Sequence, residues 1–167
     1  MTTIKAGMDR ALEWVCVGLF VALVAAVAWQ VFTRQVLNSP SGWSEELAKY
    51  LFVWLGLFGA ALVFGERGHI AVDFLVRKLP QAPQKAVGML THVLVLGFTA
   101  LVLVYGGVSV SQLSWDQTIP ALPVTAGHMY LAIPMSGILT IFYCVHHLIA
   151  IGADRMEPVE AVQAEAL

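Results

Sequence analysis

Charge is missing from this chain in four long stretches, and that absence constrains it more than any motif does. Residues 14–33, 50–65, 86–115 and 117–153 contain no Asp, Glu, Lys or Arg. An α-helix rises about 1.5 Å per residue, so about 20 apolar residues cross the hydrocarbon core of a bilayer. Four spans fit, at about 11–33, 47–64, 86–107 and 127–151. The expected class is an all-α integral membrane protein embedded in the lipid bilayer. Charged residues form 12% of the chain and apolar ones 59%, where soluble domains carry roughly 25% charged. Spans and connectors use nearly all of the 167 residues, so a soluble catalytic domain has no place here. A net charge of −2 gives no reason to expect nucleic acid.

Basic residues set the orientation. Lys and Arg in short loops stay on the cytoplasmic side. Lys5, Arg10, Arg67, Arg77, Lys78, Lys85 and Arg155 fall on one side, against Arg34 and Lys49 on the other. Both termini are therefore expected in the cytoplasm. Aromatic residues agree, with Trp14 at the inner end of the first span and Trp29, Trp43, Tyr105, Trp115 and Tyr130 toward the outer interface. Trp54 lies mid-span; its indole N–H either meets a protein acceptor or faces lipid. Ala26-Val27-Ala28 imitates a signal-cleavage site, but the apolar run continues through Phe32, so a retained first helix is expected.

Local signals place the elements. Gly18, Ala22 and Ala26 recur every four residues, as do Gly56/Ala60 and Ala61/Gly65, a spacing that lets membrane helices approach closely. Asn38-Ser39-Pro40-Ser41-Gly42 makes a turn. Ser44 is the expected N-cap of the second span, and Glu45 and Glu46 suit the positive end of its dipole. Glu45 stands four residues before Lys49, the favourable order for a helical ion pair. With Trp43, this cluster is either structural or an outer-surface contact for a partner.

His69, Asp73 and Arg77 recur every four residues and, with Lys78, make a polar stripe on an apolar segment at 69–79. The expectation is a short amphipathic helix lying in the cytoplasmic interface between spans two and three. Pro120 and Pro123 stiffen the loop between spans three and four. Pro134 deprives the Tyr130 carbonyl of its usual amide, so the fourth span should kink. Residues 154–167 read as a short frayed tail.

The chemistry is sparse. No carboxylate lies deep in a span, where a proton-coupled carrier would keep one. Nucleophile-elbow, phosphate-loop, zinc-protease and dithiol patterns are absent, so no enzyme is expected. Cys16 and Cys144 fall inside spans and read as buried small residues. His92 and His147 sit at matching depths, about 10 Å from one interface. They leave one alternative from another class, a haem b-binding anchor subunit of a respiratory complex.

Three blocks carry a resemblance. Trp43-Ser44-Glu45-Glu46 with Lys49-Tyr50-Leu51-Phe52-Val53-Trp54 and Gly59-Ala60-Ala61 comes first. Gly68-His69-Ile70-Ala71-Val72-Asp73 follows, then Pro120-Ala121-Leu122-Pro123 with Tyr130-Leu131-Ala132-Ile133-Pro134. In order and spacing these resemble the small (Q-type, DctQ-like) membrane subunit of tripartite ATP-independent periplasmic (TRAP) transporters. Two departures stand out. Lys49 occupies a position where the family commonly has arginine, and Val124-Thr125-Ala126-Gly127-His128 replaces an aromatic after the second proline. The resemblance implies a bacterial inner-membrane protein in a sodium-driven system for organic acids, carboxylates or sulfonates. A periplasmic substrate-binding protein would deliver the acid to a large elevator-type membrane subunit, and sodium would bind that large subunit. The small subunit would be its scaffold, with no cofactor or metal of its own.

Overall fold

The computed structural model describes residues 2–66 and 81–152. The interfacial arm expected at 69–79, with His69, Asp73, Arg77 and Lys78, lies outside the described residues, as does the tail from 154. Within the described residues, four helices are long and apolar enough to cross a membrane: Ile4–Gln35, Gly42–Gly65, Ala86–Leu113 and Ala126–Gly152. Each contains its expected span and extends beyond it.

Helix α1 (Thr2–Gln35) is 34 residues long, about 51 Å, against a hydrocarbon core of about 30 Å. It therefore tilts or projects, and its polar first turns lie outside the apolar run. At its end the Ser39 amide reaches back six residues to donate to Thr33 O at 3.1 Å, beside Asn38 at φ 48. Asparagine tolerates that left-handed conformation, and Pro40 prevents continuation.

Helix α2 (Gly42–Gly65) starts a turn before Leu47, and its N-cap is Ser41 rather than the expected Ser44. Ser44 is already helical and buried, and its hydroxyl donates to Ser41 O at 2.9 Å. Gly42 and Trp43 are weak helix formers but permissible in a first turn, so the helix runs back to the extended Ser41.

The third span comprises α3 (Gln81–Phe98), a π-helical segment (Thr99–Gly106) and α4 (Gly107–Leu113). The fourth is α5 (Ala126–Tyr130) and α6 (Ala132–Gly152), broken at Leu131 three residues before Pro134. The break falls one residue after Tyr130, whose carbonyl Pro134 leaves without its usual amide.

Helix α2 packs between α1 and α6, and α6 packs between α2 and the third span. On α1, residues Leu12, Cys16, Leu19, Leu23, Ala26, Gln30 and Thr33 are the covered stripe. Their alternating three- and four-residue spacing is the pattern that left-handed helix pairs use for their seams. Of the small-residue stripe expected at contacts, only Ala26 belongs to this seam. Gly18 and Ala22 are exposed, as are Gly56 and Ala60, whereas Ala61 and Gly65 are buried.

Against the third span, α6 approaches at two glycines. A Cβ on Gly107 would lie 2.8 Å from Pro134 Cδ, and one on Gly137 would lie 2.9 Å from Leu103 Cβ. Backbone packing of this kind replaces the hydrophobic drive that water would supply.

Candidate functional site

The helix bundle has a loop end, carrying residues 36–41 and 114–125, and a termini end, where α1 and α3 begin and α2 and α6 finish. Polar chemistry collects at both.

At the loop end, the first turns of α2 present Trp43, Glu45, Glu46 and Lys49. Lys49 Nζ lies 3.2 Å from Glu45 Oε1 and 3.0 Å from Glu46 Oε1. The expected i,i+4 pair therefore forms, with a second carboxylate sharing the ammonium. Lys49 and Glu45 side chains are each 56% exposed, so the cluster adds little to stability and remains available to a partner. Trp43 is exposed beside it.

The loop between spans three and four folds over this end as a hairpin. Thr118 bridges Thr125, the Ala126 amide donates to Gln117 O at 2.8 Å, and the Gly127 amide donates to Ser114 O at 2.9 Å. The His128 ring stacks on Trp115 with centroids 4.4 Å apart, and its Nδ1 shares a 2.7 Å hydrogen bond with Thr125 Oγ1. Gly127 permits the closure: a Cβ there would stand 2.6 Å from Trp115 Cα and 2.7 Å from Ser111 O. Gly42 faces Ala121 across this end of the bundle. The hairpin's backbone bonds, with the Leu122 amide on Ile119 O at 3.1 Å, tie the two sides of the loop together.

Below the cap, Trp54 Nε1 donates to Met129 O at 2.9 Å. Of the two alternatives for this indole, the protein acceptor is the one observed. Carbonyls in the last turn of a helix lack intrahelical donors, and the break at Leu131 places Met129 O in such a turn.

At the termini end, a three-helix clamp has no counterpart in the sequence reading. Tyr143 of α6 is fully buried and donates through its hydroxyl to Asp9 Oδ1 of α1 at 2.7 Å. Lys5 donates to Asp9 Oδ2 at 2.8 Å, and its ammonium lies 5.9 Å from the Tyr143 ring centroid. The ring rests on α2 at Gly65, where a Cβ would come within 2.7 Å of it. Around this clamp sit Leu12, Phe58, Ala61, Phe64 and Cys144. Asp9 and Tyr143 are 134 residues apart, and no local pattern joins them. Only the Lys5–Asp9 spacing was visible in the sequence.

The histidines neighbour this core. His92 Nδ1 donates to Gly88 O at 2.8 Å. Its ring meets that of His147 edge-on, centroids 5.5 Å apart at 83°, and Phe64 packs about 6 Å from both, at 6.1 and 6.0 Å. Paired axial ligation needs two imidazoles facing each other across a porphyrin plane. Rings in mutual contact, with a phenyl filling the third side, leave no slot for that plane, so the haem alternative is not favoured. Cys144 Sγ lies 3.6 Å from His92 O, and both cysteines are free.

The family model describing the DctQ component of tripartite ATP-independent periplasmic transporters matches residues 6–151. The chain belongs to that family. It is 31% identical, over 78% of its length and 75% of the relative's, to the sialic acid TRAP transporter small permease protein SiaQ of Vibrio cholerae. It is 34% identical, over 60% of its length and 44% of the relative's, to the C4-dicarboxylate TRAP transporter small permease protein DctQ of Rhodobacter capsulatus. A third relative is the sialic acid TRAP transporter permease protein SiaT of Haemophilus influenzae, 32% identical over 78% of this chain but only 21% of its own length. As a DctQ-family member the chain is a multi-pass membrane protein and a small permease subunit of a TRAP transporter, not an enzyme.

Proposed function

We propose that this chain is the fixed scaffold of a sodium-driven TRAP transporter that takes up an organic acid. The observation that carries this reading is its relation to SiaT: the chain corresponds to about one fifth (21%) of that longer permease. The remaining work of a complete permease falls to a large membrane partner. Sodium and substrate bind that partner, and this chain packs beside it.

Several features support a stationary role. The apolar runs of the four spans hold no carboxylate, and a carrier that couples protons keeps one in the bilayer. The Tyr143 clamp and the glycine crossings on α6 fix the helices to one another, as a stator needs.

The basic-residue bias puts both termini in the cytoplasm and the loop end in the periplasm of a bacterial inner membrane. In that orientation Trp43, Glu45, Glu46 and Lys49 face the side where a substrate-binding protein arrives. The sialic acid and C4-dicarboxylate relatives support a carboxylate cargo without selecting one.

Deletion tests the reading. Cells expressing the large partner and binding protein should lose sodium-dependent uptake when this chain is removed and regain it on complementation. Undiminished uptake would refute an essential scaffold.

A further inference from the structure

Ser111 of α4 holds a buried hydroxyl that the surrounding helices leave unpaired. The residue is 3% exposed, and among the described residues no donor or acceptor reaches its Oγ. Other hydroxyls in the same helices behave differently. Ser109 donates to Tyr105 O, Ser136 to Ile133 O and Thr140 to Ser136 O, each at 2.9 Å and each about one turn back along its own helix. Ser111 makes no such bond, so its hydroxyl is turned away from its own helix and toward what α4 packs against. Leaving it unpaired is costly, because nothing in a bilayer takes the place of the lost partner.

What α4 packs against is the break in the fourth span. Ser111 O lies 2.7 Å from where a Cβ on Gly127 would stand, and a Cβ on Gly107 would lie 2.9 Å from Ile133 Cγ2 as well as against Pro134. The two segments therefore run antiparallel, Ser111 level with Gly127 and Gly107 level with Pro134. Side chains on a helix tilt toward its N-terminus, which sets the Ser111 hydroxyl between those two levels. Two carbonyls at that height lack their helical amides. Pro134 has no amide to give Tyr130 O, and the Leu131 amide donates to His128 O at 3.3 Å instead of to Gly127 O. Gly127 and Tyr130 are three residues apart and so share one side of the helix. One unpaired donor thus faces two acceptors that the break has freed.

We infer that an ordered water molecule binds at this break, accepting from Ser111 Oγ and donating to the carbonyls of Gly127 and Tyr130. Three hydrogen bonds are the usual complement of a buried water, and a polar contact too long to be direct is the kind that water bridges. The donor count selects water over a sodium ion. A hydroxyl must place its proton on an acceptor, which a cation does not provide, and α4, α5 and α6 hold no carboxylate to balance a charge. The water stabilises the broken geometry, in which Met129 O receives the Trp54 indole and ties the fourth span to α2. The site is independent of cargo and partner, so its failure would leave the subunit reading untouched.

Removing the hydroxyl tests the site by the sign of the effect. A bridged hydroxyl contributes hydrogen bonds, so Ser111→Ala should lower the thermal midpoint of the purified full-length chain by about 2–4 °C. An orphaned hydroxyl is a penalty instead, and its removal would leave the midpoint unchanged or raise it, which would overturn the water. A density map of the unmodified chain in its purified membrane complex, fine enough to show ordered water, gives the second reading. The proposal expects a peak about 3 Å from Ser111 Oγ and from both carbonyls, unchanged when sodium is replaced by choline. Ser111 Oγ bonded directly to a carbonyl with no peak between them would overturn the site. So would a peak that vanishes with sodium, since that peak is an ion.

Discussion

Tyr143 Oη and Asp9 Oδ1 lie 2.7 Å apart, joining the last long helix to the first at the end where α1 begins and α6 finishes. A hydrogen bond to a charged acceptor contributes about 1.5–3 kcal/mol, and partial exposure of Asp9 places this one at the lower end. Tyr143→Phe keeps the ring on Gly65 and removes only the hydroxyl. It should cost about 1–2 kcal/mol, read as a lowered thermal midpoint in detergent. Tyr143→Ala also empties a buried site and should cost about 3–5 kcal/mol. Equal midpoints for the Phe variant and the unmodified chain would show that the bond contributes nothing.

Gly65 and Gly56 make opposite predictions from the same substitution. A methyl on Gly65 would come within 2.7–2.9 Å of three Tyr143 ring atoms, whereas Gly56 has nothing within 4 Å. Gly65→Ala should therefore destabilise by about 1–3 kcal/mol through overpacking. Gly56→Ala should be neutral or slightly stabilising, since alanine is the better helix former. Thermal unfolding of the two side by side decides it.

Gly127→Ala should open the cap at the loop end. Its new methyl would meet backbone atoms of Trp115 and Ser111, which cannot rotate away. The Trp115–His128 stack should be lost, shifting tryptophan fluorescence, and the hairpin at residues 117–126 should become cleavable by added protease. An unchanged spectrum and digestion pattern would show that the cap tolerates the displacement.

Charge reversal at the loop end probes the periplasmic docking reading. Lys49→Glu, or Glu45→Lys with Glu46→Lys, should weaken binding-protein-dependent uptake, and more strongly at low ionic strength. Exposed charges are screened over about 10 Å at 0.1 M salt. A defect of equal size at all salt concentrations would make the cluster purely structural.

Local chemistry was legible in the sequence: the four uncharged runs, the Glu45–Lys49 pair and the break before Pro134 each depend on residues close together in the chain. The Ser44 cap was misplaced because Gly42 and Trp43 are weak but permissible helix residues, and the stop signal at Pro40 lies further back than the apolar run implies. Contacts between spans were legible only in part. In water an apolar face marks the buried side of a helix, but in a bilayer lipid and protein are equally apolar, so Leu12, Cys16 and Leu19 look no different from Val17, Phe20 and Val24. Small residues were an ambiguous guide for the same reason: Gly65 packs within this chain, while Gly18 and Ala22 point out of it. Tyr143 and Asp9 carry no signal of their partnership at all.

Reconstitution into sodium-loaded vesicles tests the scaffold claim most directly, using the large subunit, this chain and the binding protein in every combination. The account predicts sodium-gradient-driven uptake only when all three are present, and no flux above bare lipid from this chain alone. Uptake by the large subunit and binding protein without this chain, or solute flux through this chain by itself, would contradict it.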